Sequence, residues 1–216
     1  MNLYRVNPKS STEQKEREED DLWLIGTAEV ALVAQHAQET FNAADLPRRY
    51  VGFSSCFRRE AGTYGKDAKG LIRVHQFEKV EMVSFVMPQD SEKEHEFIRQ
   101  IEEEIFTDLG LAFHRLMICT GDLGAPAAKK YDLEAWFPGQ NAYKEVTSTS
   151  NTTDFQTRRG QISYKDGNEK GYVHSLNGTA VALGRALACI VETYQTAEGN
   201  IRIPEVLIPF FGKELI

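Results

Sequence analysis

The chain has 216 residues, of which 41% are hydrophobic, so it is long enough to bury a substantial core as one globular domain. Its formal net charge of -7 argues against broad, non-specific nucleic-acid binding, because surfaces that follow phosphate backbones are basic. The three cysteines lack a CxxC spacing, so the sequence indicates neither a disulfide framework nor a zinc cluster, and a reducing cytoplasm is expected. No early apolar run resembles a signal peptide and none reaches the roughly 18 residues of a membrane span, so no membrane partner is expected.

The first apolar segment follows a polar, charged N-terminal stretch of residues 1–21, which is predicted to be a loop. LWLIG reads as a short strand, and Thr27-Ala28-Glu29 leads from it into an amphipathic helix, VALVAQHAQETF. As local structure, Thr27 is a good helix N-cap and Glu29 a favourable acid in the first turn. His36, within the helix, is expected to be structural.

The stretch from Phe53 to Phe85 is predicted to form a strand, a charged loop with three glycines, and a long return strand. Side chains alternate between the two faces of a strand. One face of the first strand would carry Ser54, Cys56, Arg58 and Glu60. One face of the return strand would carry Arg73, His75, Phe77, Lys79 and Glu81. This face suits a polar, planar ligand, but an exposed hairpin with surface salt bridges explains the same pattern.

A helix is predicted to begin at Ser91, with Glu94 at the spacing of a capping box. Its apolar stripe comprises Phe97, Ile98, Ile101, Ile105 and Leu109. Gly110 ends the helix, which is interpreted as a packing element, and His95 is given little functional weight.

Three strands are predicted to follow. The first is LAFHRLMIC, the second carries Tyr131, Leu133 and Ala135 on one face, and the third is AYKEVTSTSN. In the last of these, Glu145 and Ser148 share neither a strand face nor a helical spacing, so geometry alone indicates no metal site. A short helix near Asn151 to Arg159 and a hairpin at Asp166-Gly167-Asn168 come next.

The segment NGTAVALGRALACIVETY is apolar around its circumference and is predicted to be one buried helix. Asn177 and Thr179 would lie at its start. Arg185 within it requires an anion opposite, because an isolated charge on a buried surface is costly. A structural acid and a bound anion both satisfy that requirement.

Several of these segments together resemble the class II aminoacyl-tRNA synthetases, in the version found in the seryl enzymes. FRREAGTYGKDAKGLIRVHQFEKVE is similar to motif 2, and GTAVALGR to motif 3. TAE, GDLGAPAAKKYDLEAW, EVTS and SNTTDFQTRR resemble other seryl-enzyme segments in the same order, so the resemblance runs from about Leu22 to Phe211. Neither motif 1 nor a heptad-bearing N-terminal arm is found.

The resemblance implies an α+β fold, a class II synthetase-like antiparallel β-sheet flanked by helices, with residues 1–216 as a single catalytic domain that begins after motif 1. It also implies that the chain activates L-serine with ATP to seryl-adenylate and transfers serine to tRNA(Ser). Arg58 and Arg185 would be the catalytic residues. Serine contacts are implied for Thr27, Ala28, Glu29, Arg58, Glu81, Asn177 and Thr179.

ATP contacts are implied for Arg58, Arg59, Glu60, Val74, Phe77, Glu145, Val146, Thr147, Ser148 and Arg185. Glu145 and Ser148 would bind Mg²⁺ together with ATP, in keeping with the preference of magnesium for hard oxygen ligands. In the family the arm grips tRNA and motif 1 builds the dimer interface. Since neither is found, the resemblance does not settle the tRNA affinity or the homodimer of this chain. Two alternatives therefore stay open, a paralogue that serves a non-tRNA acceptor and a non-catalytic, partner-binding remnant.

Overall fold

A six-stranded antiparallel sheet is the centre of the structure, a computed structural model that describes residues 3–6, 22–60 and 70–216. The charged loop of residues 61–69 and most of the polar N-terminal stretch lie outside the described residues. The strands are β1 (Arg5–Val6), β2 (Leu22–Trp23), β3 (Thr40–Asn42), β4 (Arg48–Phe57), β5 (Gln76–Val86), β6 (Phe113–Met117), β7 (Lys129–Phe137), β8 (Ala142–Asn151), β9 (Ser163–Asp166), β10 (Glu169–Tyr172) and β11 (His174–Ala182). The α-helices are α1 (Glu29–Ala34), α2 (Ser91–Asp108), α3 (Phe155–Gly160), α4 (Leu183–Tyr194) and α5 (Ile208–Phe211).

The central sheet has the order β4-β5-β11-β8-β7-β6, and each neighbouring pair is antiparallel. A smaller sheet has the order β10-β9-β3, in which β3 runs parallel to β9. Strands β1 and β2 form a separate antiparallel pair. This architecture confirms the predicted α+β fold with an antiparallel sheet flanked by helices.

Helices α2 and α4 cover one face of the central sheet, here called the back face. Phe106 of α2 and Cys189 of α4 belong to one buried cluster with Leu133 of β7 and Val146 of β8. On the opposite, front face, α1 and the smaller sheet cover only one end, around Phe85 of β5. The rest of the front face is therefore available for a site.

Helix α2 begins at Ser91 as predicted, but Glu94 does not act in a capping box. Its carboxylate accepts hydrogen bonds from Arg49 at 2.6 and 2.8 Å and from the Ser84 hydroxyl at 2.8 Å. It thereby ties α2 to β4 and β5. The apolar stripe is also incomplete, because Phe97 is 39% exposed.

The predicted buried helix beginning at residue 177 is wrong in its first part. Residues up to Ala182 form β11, in the middle of the sheet, and only the remainder forms α4. A strand that is buried on both faces carries a continuous apolar run, which a sequence pattern does not distinguish from a buried helix. Helix α4 is also not buried all round, since Leu187 is 55% exposed.

The local turn predictions are confirmed. Gly110 follows α2 with a φ of +67°, and Gly167 joins β9 to β10 with a φ of +56°. Helix α1 is shorter than predicted and has Ala28, not Thr27, in the cap position, although the Thr27 hydroxyl accepts a hydrogen bond from the backbone N–H of Glu29 at 3.2 Å. In the described part of the chain, no helix is both long enough and apolar enough to cross a bilayer.

Candidate active-site cleft

An open cleft of about 340 Å³ lies on the front face of the central sheet. It is bounded by β5, β8 and β11, by the segment before α1 and by the first turn of α4. Its lining is strongly polar and comprises Thr27, Glu29, Arg58, Phe77, Lys79, Glu81, Lys130, Glu145, Val146, Thr147, Ser148, Asn177, Thr179, Ala182 and Arg185. Most of the residues for which sequence resemblance implied a role are thus brought together from distant parts of the chain.

An irregularity in β8 places Glu145 and Ser148 in the same cleft. The ladder pairs Leu133 with Thr147 but Glu134 with Glu145, so Val146 is an extra residue in β8. In a regular strand, positions 145 and 148 point to opposite faces, whereas a bulge resets the alternation. The expectation that these two side chains share no face is therefore wrong.

A second irregularity, in β11, acts in the same way. Thr179 pairs with Glu81, but Val181 pairs with Val80, which leaves Ala180 as the extra residue. As a result, Thr179 and Ala182 both line the cleft. Thr179 lies in a central strand, not at the start of a helix as predicted, and the same correction applies to Asn177.

Arg58 enters the cleft from just beyond the end of β4. Its Nε donates to the backbone oxygen of Gly26 at 3.1 Å, and its guanidinium lies 5.2 Å from the ring centroid of Phe77. The predicted strand alternation ends before it, because β4 stops at Phe57 and Glu60 has a left-handed φ of 49°. Tertiary contacts, and not strand geometry, orient Arg58.

Arg185 approaches from the first turn of α4 and meets Glu145. Its Nη1 donates to the backbone oxygen of Glu145 at 2.8 Å and to Oε1 at 3.1 Å, while its Nε donates to the backbone oxygen of Ile72 at 3.3 Å. The Arg185 side chain is 29% exposed, so it is not buried as predicted. The acid opposite it is itself a residue of the cleft.

Two smaller recesses adjoin the cleft. Glu60 and Val74 line the first, of about 30 Å³, together with Arg58, Phe77 and Arg185. Glu60 accepts a hydrogen bond from Arg73 Nε at 2.5 Å. Of the remaining residues with an implied role, Ala28 is buried at the start of α1 and Arg59 is exposed, both outside the cleft lining.

The second recess, of about 140 Å³, was not predicted from the sequence as a site. Arg73, Lys144 and Arg185 line it together with Glu145. Three cations around one open recess suit the oxygen atoms of a phosphate chain. Arg73 was placed only on a strand face, although β5 begins after it at Gln76, and no sequence pattern singles out Lys144. His75, also expected on that face, hydrogen-bonds the hydroxyl of Tyr4 instead.

The opposite end of the cleft holds a buried acid, Glu81. It contacts Lys79, and Asn177 Nδ2 lies 3.3 Å from its Oε1. Burial raises the pKa of the Glu81 carboxyl above its usual value, and Lys79 opposes that rise. This end of the cleft therefore combines a buried carboxyl group with a lysine and an asparagine amide beside it.

The donor set near Glu145 fits a hard cation only in part. Across residues 3–6, 22–60 and 70–216, no three His, Cys, Asp or Glu side chains come together as a metal cluster. Glu145 and Ser148 supply a carboxylate and a hydroxyl, which are oxygen ligands that magnesium accepts. Such an ion needs further oxygen atoms, and phosphates held by the nearby cations would provide them.

The fold is that of a class II aminoacyl-tRNA synthetase core. The chain matches the model of the tRNA synthetase class II core domain (G, H, P, S and T) over residues 4–194, and it belongs to this family. It is similar to proteins named serine-tRNA ligase, at 52% identity for that of Kosmotoga olearia and 49% for that of Thermotoga maritima. Each of these matches covers 97% of this chain and 50% of the relative, so the chain spans about half the length of the curated relatives it matches.

Solved structures show the same similarity. The seryl-tRNA synthetase of Pyrococcus horikoshii, complexed with ATP, matches with a TM-score of 0.89 and 49% identity, covering 94% of this chain and 46% of that chain. The cytoplasmic serine-tRNA ligase of Naegleria fowleri, in complex with AMP, matches with a TM-score of 0.90 and 42% identity, covering 100% and 49%. The family resemblance seen in the sequence is thereby confirmed.

Proposed function

We propose that this chain is a serine-tRNA ligase catalytic domain, which activates L-serine with ATP and transfers it to tRNA(Ser) in the cytoplasm. The observation that carries the proposal is the meeting of Arg58 and Arg185 in one cleft that also contains the buried acid Glu81. The relatives named serine-tRNA ligase and the two nucleotide-bound neighbours support it.

The end of the cleft near α4 suits ATP. Phe77 offers an aromatic face to the adenine, and Arg58 and Arg185 offer guanidinium groups to the phosphates. The recess beside Arg185 adds Arg73 and Lys144, which extend the positive charge beyond the cleft. Glu145 and Ser148 would hold Mg²⁺, whose chemistry here is to neutralise charge on the phosphate oxygens.

The end of the cleft near α1 suits serine. Glu29 and Glu81 are the two carboxylates in this part of the lining; Glu29 is an acceptor of the kind that a primary ammonium group requires, and Glu81 is a second acceptor for serine. Thr27, Asn177 and Thr179 add neutral polar groups of the size needed for a small hydroxyl side chain. A charge-lined pocket of this kind leaves little apolar surface for a larger aliphatic amino acid.

The reaction requires orientation and charge stabilisation from the protein, and no side-chain nucleophile. An oxygen of the ionised serine carboxylate attacks the α-phosphorus of ATP, the new O–P bond forms, and the bond to pyrophosphate breaks. Arg58 and Arg185 stabilise the negative charge that spreads over the phosphate oxygens in the transition state. In the second step the terminal hydroxyl of tRNA attacks the acyl carbon and AMP leaves.

The test is serine-dependent exchange of pyrophosphate into ATP by the purified protein, followed by charging of tRNA(Ser). Arg58→Ala should lower kcat/KM of the exchange by about 100-fold or more, as expected for loss of a group that stabilises transition-state charge. Arg159→Ala, which removes an exposed arginine that packs on Phe155 of α3, is the matched control and should leave exchange unchanged. Exchange that does not depend on serine, or that survives Arg58→Ala, would refute the proposal.

A further inference from the structure

Lys79 is a buried cation at the end of the cleft near α1. The proposed reaction does not use this lysine. Its side chain is 8% exposed, and it contacts the carboxylate of Glu81, which is fully buried. Its Nζ also lies 3.5 Å from the hydroxyl oxygen of Thr179 on the neighbouring strand. Lys79 thus joins the acid on its own strand, β5, to the hydroxyl on β11.

The ammonium of lysine donates hydrogen bonds and accepts none, so both of its neighbours must accept from it. Thr179 then receives a hydrogen bond on its oxygen, which leaves its own proton to be donated to a ligand in the cleft. The ionised Glu81 pairs with Lys79 and receives a hydrogen bond from Asn177 Nδ2 at 3.3 Å, and its carboxylate presents only acceptor positions. The Thr179 hydroxyl, as a donor, and the Glu81 carboxylate, as an acceptor, therefore face the same small space.

The buried charge of Glu81 depends on the same lysine. Burial raises the pKa of this carboxyl, and the nearby carboxylate of Glu29 raises it further, while Lys79 and Asn177 oppose the rise. Without Lys79, Glu81 would be a buried acid beside another acid, which favours its protonated form. A protonated Glu81 would donate a hydrogen bond, and it would no longer be the acceptor that complements the Thr179 donor.

We propose that Lys79 is a specificity-determining, positioning residue, which fixes Glu81 as an acceptor and Thr179 as a donor so that the cleft selects an amino acid with a small hydroxyl side chain. A hydroxyl group gives one hydrogen bond and receives another, and so satisfies both partners. An alanine side chain leaves both buried groups unpaired, which is the condition under which a site rejects an analogue strongly. This inference rests on the part of the proposed function that places serine in this end of the cleft.

The test compares Lys79→Met with the unaltered protein in equilibrium binding of two non-reactive adenylate analogues, seryl- and alanyl-sulfamoyl adenosine, by titration calorimetry. The unaltered protein should prefer the seryl analogue. In Lys79→Met this preference should fall by about 10-fold to 100-fold, the value of hydrogen bonds to charged groups, chiefly through weaker binding of the seryl analogue. Lys129→Met is the control, because Lys129 pairs with Glu92 and Glu96 outside the cleft, and its preference should stay unchanged.

Lys79→Gln covers the case in which Lys79→Met does not fold. Glutamine keeps a donor but no charge, so the seryl preference should fall in the same direction by a smaller factor. If a folded variant binds both analogues more weakly by the same factor, or keeps the full preference, Lys79 is structural only and the inference is overturned. If the seryl preference falls in Lys79→Met as expected but the unaltered protein catalyses no exchange, the role of Lys79 in binding stands while the proposed activation reaction fails.

Discussion

Arg185 and Glu145 form an ion pair at the mouth of the cleft, with Nη1 of the arginine 3.1 Å from Oε1 of the glutamate. The glutamate side chain is 47% exposed and that of the arginine 29%. A pair this exposed contributes about 1 kcal/mol or less to stability, so exchanging it for phosphate and a cation costs little. The two residues proposed to contact opposite charges of the nucleotide complex thus also form an ion pair with one another.

Arg185→Ala should therefore impair function without impairing the fold. We expect kcat/KM for serine-dependent exchange to fall by about 100-fold, because the lost guanidinium stabilises charge on the phosphates. The melting temperature should barely change. Arg115→Ala is the control, because it removes an ion pair with Glu103 that lies outside the cleft. Equal kcat/KM values for exchange in the two variants would contradict the role assigned to Arg185.

Ser148→Ala should raise the magnesium concentration needed for exchange. The hydroxyl is one of two oxygen ligands that this chain would contribute, and loss of even an outer partner of a metal site costs roughly 10-fold to 100-fold in affinity or activity. The measurement is a magnesium titration of the exchange rate at saturating ATP and serine. Ser150→Ala, two positions further along β8 and outside the cleft lining, should leave the titration midpoint in place.

Glu102 makes stability depend on pH. It is fully buried on the back face, and its Oε2 accepts a hydrogen bond from the Thr147 hydroxyl at 2.8 Å. Burial raises the pKa of this carboxyl well above its usual value; the Thr147 bond opposes the rise, and the carboxylates of Glu81 and Asp132 add to it. The folded protein therefore keeps a proton that the unfolded chain releases, and its stability falls as the pH rises above the unfolded pKa towards the folded one.

Glu102→Gln tests this dependence, because glutamine retains an acceptor for Thr147 but does not ionise. We expect the variant to be more stable than the unaltered protein at about pH 8 and to show a smaller difference at about pH 5, measured by urea unfolding at both values. Glu104→Gln, at an exposed position of the same helix, should not change the pH slope. A slope that is equal in the Glu102 variant and the unaltered protein would count against a raised pKa.

Gly178 permits α2 to lie close to the back face of β11. A Cβ added there would collide with Ile98 Cγ2 and lie 2.7 Å from Glu102 Oε1. Because both neighbours are held in a packed interior, Gly178→Ala should lower the free energy of unfolding by about 1–3 kcal/mol, as measured by urea unfolding. Gly121→Ala, whose added Cβ would find its nearest atom at 3.9 Å, should be close to neutral.

Much of the fold was predictable because local rules decided it. Turn residues placed the hairpin at Gly167 and the end of α2 at Gly110, where a left-handed backbone is required. The β-branched residues predicted β8 with its observed bounds. Resemblance to motifs 2 and 3 singled out Arg58 and Arg185, which do line the same cleft.

The sequence by itself determined which chemical groups the chain carries and the order in which its main elements follow. Only the tertiary structure decided that residues 174–182 form a central strand, that bulges at Val146 and Ala180 turn neighbouring side chains towards one cleft, and that Glu94 and Glu102 of α2 are buried. The physical reason is that periodicity describes a regular element in isolation. Bulges, two-sided burial and the pairing of buried charges depend on neighbours from distant parts of the chain, which no local pattern records.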